Sequence, residues 1–290
     1  TMDKAAYALV QPLTVPARTS LSRALLAGGA TDEASRPMAA PATILVAASP
    51  TESLATALDA VEAYVTAADE PEAAYVWLPL LSLSQHASTP AEERPVTWWT
   101  GVFASAVKRV GEVALLMQPA IEPSLLARPF GIYHLYLAVD AGVKLRVMCA
   151  PADVAALRAA LIENIDGVIA AGDRLVESDS RKPDAPGATD AQRLAIERLI
   201  DKFDDGGAEG FCGSLVASLH KWLLSHARKA LDTLDDEERG ASGLLAGVVK
   251  ILQAHGDVES AEPLAREQAE GRRARHGARH QETLDARANL

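Results

Sequence analysis

The chain has 290 residues, 49% of them hydrophobic but only 4% aromatic, so alanine and leucine carry the apolar content and favour helices packed through small residues. Its formal charge of -11 argues against a non-specific nucleic-acid or anionic-membrane surface, because both partners are themselves negative. No run of about 18 apolar residues predicts a membrane span, and Cys149 and Cys212, far apart in apolar surroundings, fit reduced thiols better than a disulfide or a zinc site.

Residues 1–41 combine scattered prolines with GGATDEASRPMAAPA and read as an N-terminal arm holding one short helix, SLSRALLA. Asp3 comes early and no compact apolar core follows it, so a cytoplasmic address is expected, with organellar targeting left open. From Ala42 the pattern becomes regular. ATILVAA is a short β-branched strand, and TESLATALDAVEAYVTAA is an amphipathic helix with Thr51 as its expected N-cap. AAYVWLPLL reads as a second strand, followed by a polar loop through STPAEERP. TWWTGVFASAVKRVG is a helix with basic residues and Gly111 at its end, as a helix C-terminus prefers. EVALLMQP is a third strand, RPFGIYHLYLAV a buried helix opened by proline, VKLRVMCA a fourth strand, and PADVAALRAALIENI a closing helix.

Short apolar strands alternating with helices predict an α/β fold, a mostly parallel sheet of about four strands covered on both faces. Ligands of such folds bind in the crevice beyond the carboxyl ends of the strands, near a topological switch point. The loops after Ala48, Leu81 and Pro119 are therefore where chemistry is sought. After Asp166 the strands stop. ESDSRKPDAPGATD is a polar linker, AQRLAIERLIDKFD a helix with Asp190 as expected cap, GSLVASLHKWLLSHARKALDTL another helix, and DDEERG a boundary. The expected divisions are 1–41 arm, 42–165 α/β domain, 166–240 all-α connector and 241–290 helical repeat.

The last fifty residues form a helix, an HGD turn, a second helix and the start of a third. Gly256 suits a tight interhelix turn and Asp257 suits the cap of the next helix. GDVESAEPLAREQAEGRRARHGARHQETLDARANL resembles a kinesin-light-chain-type tetratricopeptide repeat, over one full repeat. A solitary repeat is underpacked and must dock on the connector, on another chain or on further repeats. The resemblance implies protein partners, with Arg266, Arg272, Arg273 and His280 as interaction candidates. GRRARHGARH looks like a nucleic-acid patch in isolation, but beside Glu267 and Glu270 it reads as a solvated helix end, and no nucleic-acid partner is expected.

Over residues 42–165 the ordered pieces TILVAASPTESLATALDAVEAY, VWLPLLSLSQH, WWTGVFASAVKRVGEVALLMQP and LLARPFGIYHLYLAVDAGVKLRVM resemble a divergent TIR-like domain of the kind found ahead of such repeats. In those relatives the first strand ends in Ser-His, the second carries an aspartate, Pro-Trp follows the third, and the next helix holds the glutamate used in NAD cleavage. Here those places hold Ala47 and Ala48, Pro79, Pro119 and Ala120, and the run Phe130, Gly131, Ile132, Tyr133 and His134, with His134 at the acid position. A histidine cannot supply fixed negative charge to a cationic transition state. His134 is thus expected to be a structural residue in a formerly functional place.

Gln85 and His86 stand where the family's Gln-His does, and bind a polar ligand or organise the loop. Trp98 and Trp99 pack on the sheet or form a binding surface. Ser82 and Ser84 lack a base at a recognisable elbow, and no P-loop lysine motif occurs. The resulting expectation is a noncatalytic interaction or scaffold protein needing no cofactor or metal, able to self-associate through its TIR-like domain. The alternatives are an NAD-cleaving enzyme, using His134, Gln85 and His86, or a structural subunit of a larger assembly.

Overall fold

Continuous apolar runs become central strands because helices cover both of their faces. β1 (Ile44–Ala47) and β3 (Glu112–Leu116) are such strands: all of β1 is buried, as is β3 beyond its first residue. With β2 (Val76–Trp77) and β4 (Lys144–Met148) they make a four-stranded, all-parallel sheet in the order β2-β1-β3-β4. Leu45 is in register with both Trp77 and Val113, and Val113 with Leu145. The computed structural model describes residues 1–86, 95–121, 123–177, 189–202 and 207–288. These divide into one unit of Thr1–Asp153 and Leu175–Cys212 and a second of Val154–Arg174 and Gly213–Leu290.

In the first unit, β2 is shorter than AAYVWLPLL suggests. Pro79 cannot donate to a ladder and sits in the first turn of a short helix, α5 (Pro79–Ser82), where its missing N–H costs nothing. Before the sheet come α1 (Met2–Ala5), a π turn (Ala6–Val10), α2 (Gln11–Thr14) and α3 (Leu21–Ala27). Only α3 is legible from local pattern. Met2, Ala6, Val10 and Thr14, spaced by four, are all buried, and the first three pack into a cluster with Val46, Ala57, Leu78 and Leu80.

α4 (Leu54–Thr66) begins two residues later than expected, since Ser53 and not Thr51 caps it by accepting from Thr56 N. α6 (Val96–Val110) ends at Gly111, whose φ of 75° needs a residue without a Cβ. α7 (Pro129–Asp140) opens with proline as anticipated and is buried on most sides. A Cβ on Gly131 would lie 1.9 Å from Leu125 O, so only glycine lets the loop after β3 fold onto the helix start. α8 starts at Pro151, and α9 (Asp190–Ile200) is capped by Thr189 rather than Asp190. Thr189 Oγ1 accepts from Gln192 N while Gln192 Oε1 accepts from Thr189 N, a reciprocal capping box. The stretch 178–188, most of the expected linker, lies outside the described residues.

The second unit is all helical. α8 runs through Pro151–Glu177 with non-helical angles at Asn164, whose side chain accepts from Gly167 N at 3.0 Å and restarts the helix. α10 (Gly207–Leu231) contributes from Gly213 onward, and DDEERG is helical, forming most of α11 (Asp236–Ala241) with Asp235 as its cap. α12 (Gly243–Ala254) and α13 (Val258–His276) are joined by the HGD turn. Gly256 has φ 72° and Asp257 accepts from Ser260 N at 3.1 Å, as expected of both residues. α14 (Gln281–Ala288) follows. α11 and α13 touch backbone to backbone, since a Cβ on Gly271 would stand 2.3 Å from the carbonyl carbon of Gly240. No described helix is long and apolar enough to cross a membrane.

Candidate functional site

The order β2-β1-β3-β4 puts the switch point between β1 and β3, because the chain leaves β1 in one direction and returns to its other side for β3. The loops beyond these two strands meet through Glu52. Its Oε2 accepts from Ser49 N and its Oε1 from Ser124 Oγ, both at 3.0 Å, so one carboxyl group ties the β1 loop to the β3 loop. Ser49 Oγ in turn lies 2.8 Å from Thr51 Oγ1, which is why Thr51 serves the loop and not the helix cap.

Glu52 is only 4% exposed and Ser49 is fully buried. Burial pushes the Glu52 carboxyl from 4.5 up to about 8, although the Ser124 and Ser49 hydrogen bonds and the Arg128 charge pull the other way. Near neutrality the group is therefore mostly protonated. An acid with such a value at a switch point could in principle hand over a proton. Here both oxygens are already engaged within the chain. Gln118 Oε1, in the same β3 loop, is buried without a hydrogen-bond partner among the described residues.

The β1 and β2 loops carry a second cover. Met2 N donates to Glu52 O at 2.8 Å, Gln11 Nε2 donates to Gln85 O at 3.3 Å, and Thr14 Oγ1 lies 2.8 Å from His86 Nε2. Gln85 also donates through Nε2 to Leu80 O and Leu83 O at 3.1 Å. Gln85 and His86 thus bond within their loop and to the N-terminal helical segment.

His134 is elsewhere in its surroundings. On α7 its ring lies 4.5 Å from that of Phe103 and 6.4 Å from that of Tyr133, and Phe103 meets Trp77 edge-on at 5.1 Å. Its Nδ1 is buried with no hydrogen-bond partner among the described residues, and burial lowers its pKa from 6.5 to about 4, so the ring is neutral. Among the described residues no hydrogen bond or ion pair joins His134 to Gln85, His86 or a carboxylate. The other places singled out are apolar: Ala47 and Ala120 are buried, Ala48 packs against the core, Pro79 starts α5 and Pro119 follows a cis peptide.

A cavity of about 390 Å³ lies beside β2, lined by Leu21, Leu25, Trp77 and Leu81 with the Asp32–Arg36 ion pair and Ser82. Trp98 is half-buried, and the Trp99 side chain lies outside the described residues. Cys149 and Cys212 are half-buried and not joined in a disulfide, and burial, reinforced by Asp153, pushes the Cys149 thiol up to about 12, far from a nucleophilic thiolate.

In the second unit Arg266 pairs with Glu262 at 2.9 Å, and Arg272 with Glu282 at 3.9 Å. His280 stacks on His276 at 4.7 Å. Arg273 is exposed in the last turn of α13. Three of the four interaction candidates are thus already engaged within the chain.

Sequence reasoning missed Glu52, Ser49, Ser124 and Arg128. The visible signal was SPTES, a polar run directly after a buried strand at the switch point. No family model matches the chain, and no curated protein or solved structure is significantly similar to it.

Proposed function

We propose that the chain is a noncatalytic intracellular interaction or scaffold protein, with a degenerate TIR-like α/β region and a tetratricopeptide-like helical segment. One observation carries this reading: the loops beyond the strand ends, where an open parallel sheet holds its ligand, are bonded to the chain's own side chains and N-terminal segment. Glu52 ties the β1 loop to the β3 loop, and residues 2–14 bond to the β1 and β2 loops. The neutral His134, packed among aromatic rings, offers no charge to a cationic transition state. The HGD turn and the Gly240–Gly271 crossing support the repeat reading, since repeats need tight turns and close helix contacts. Partners are other proteins, met on the C-terminal helices at Arg273 and its neighbours, with self-association through the α/β region.

The second reading, an NAD-cleaving enzyme, draws on Glu52 alone, an acid with a raised pKa at the switch point. Incubating the purified chain with NAD and following nicotinamide separates the two. The scaffold reading expects no release above buffer. Sustained turnover lost in Glu52→Gln or His134→Ala, with the fold intact, overturns it.

A further inference from the structure

We propose that the N-terminal helical segment, residues 2–14, exchanges between two copies of this chain, each copy's segment docking in the other's seat against β1, α4 and α5. The inference goes beyond the scaffold reading and does not depend on it, since an enzyme could exchange the same segment.

Three features converge. The docking of the segment is specific: Met2, Ala6 and Val10 enter the core cluster, while Met2 N, Gln11 Nε2 and Thr14 Oγ1 bond to Glu52 O, Gln85 O and His86 Nε2. A second copy offers an identical seat, so exchange loses none of these bonds, and this defines the partner.

The link back to the rest of the chain is short and strained. Between Thr14 and Leu21 stand Pro16 and Arg18, and Arg18 is a non-glycine residue at φ 45°, closed by a bond from its N to Thr14 O at 2.8 Å. The left-handed region is costly for any residue with a Cβ, and an opened hinge escapes it. The segment also leaves apolar surface in water: Tyr7, Leu9, Leu13 and Val15 are each more than half exposed. Pairing two copies gives those side chains somewhere to go.

The full chain is tested in three forms, refolded at low and at high concentration and sized by light scattering after gel filtration. Wild type is expected to give a dimer whose fraction rises with concentration. Deleting Ala17 and Arg18 shortens the hinge and moves the population to dimer. Arg18→Gly relieves the strain at both hinges of an exchanged pair and lowers the dimer association constant about thirtyfold to nine-hundredfold. Because an ordinary dimer could mimic part of this, Gln11→Cys with Gln85→Cys is oxidised and run without reductant. These positions touch, so exchange gives a covalent dimer and back-folding gives a cross-linked monomer. A dimer carrying only intrachain cross-links overturns the proposal, as does a hinge-shortened chain that stays monomeric with the cross-link intact.

Discussion

Glu52→Gln is the sharpest perturbation of the switch point. The folded state holds the Glu52 proton more tightly than the unfolded chain does, with a pKa raised from 4.5 to about 8. A raised folded-state value contributes stability that is complete below pH 4.5 and is lost as pH rises through 8. At about 1.4 kcal/mol per pKa unit this amounts to about 5 kcal/mol across that window, as an upper bound before the loops relax. Glutamine keeps the shape and the acceptor for Ser49 N or Ser124 Oγ but cannot ionise. Urea unfolding at pH 5, 7 and 9 reads the effect directly. The variant is expected to match wild type to within about 1 kcal/mol at pH 5. It should exceed wild type by about 2 kcal/mol or more at pH 9, its pH slope being flatter by the Glu52 contribution. Parallel slopes for the two proteins would refute the reasoning, because Glu52 would then ionise as freely when folded as when unfolded.

Further outcomes follow from single side chains. His134→Phe removes a buried ring nitrogen that has no partner among the described residues and extends the packing on Phe103, and should raise stability at pH 7 by about 1 kcal/mol. Since the folded pKa of His134 is depressed, wild type should also lose stability as pH falls from 6.5 towards 4, and that share of the loss should vanish in the variant; chemical denaturation across this range checks both. Gly271→Ala places a methyl against the Gly240 backbone and should cost about 1–3 kcal/mol, seen as a lower melting temperature. Asp257→Ala removes the acceptor for Ser260 N at the start of α13 and should cost about 1 kcal/mol by the same measurement.

What could be read from sequence follows from how local the cause is. β1 and β3 are legible because burial on both faces demands an unbroken apolar run. The HGD turn is legible because Gly256 and Asp257 each meet a demand of their own turn. β2 was overextended because Leu80 and Leu81 are apolar in either state, and only the proline before them tips the chain into a helical turn. The helices before Thr14 were invisible for a related reason. Their outer side carries Tyr7, Leu9 and Leu13, so no polar face marks a period, and Pro12 argues locally against a helix. Glu52 was hidden by Thr51, which looks like a cap but is held by Ser49 Oγ, and the Glu52 partner Ser124 lies far along the chain. The site was thus missed where its parts come from separate loops, while His134, a single position, was placed correctly in a packed helix.

The most direct test of loops closed by their own chain is hydrogen exchange on the full protein with and without NAD, read at residues 48–53, 117–121 and 123–128. The account predicts slow exchange there in the free protein, unchanged by NAD. Fast exchange that NAD slows would show an open, ligand-accepting crevice and would contradict it.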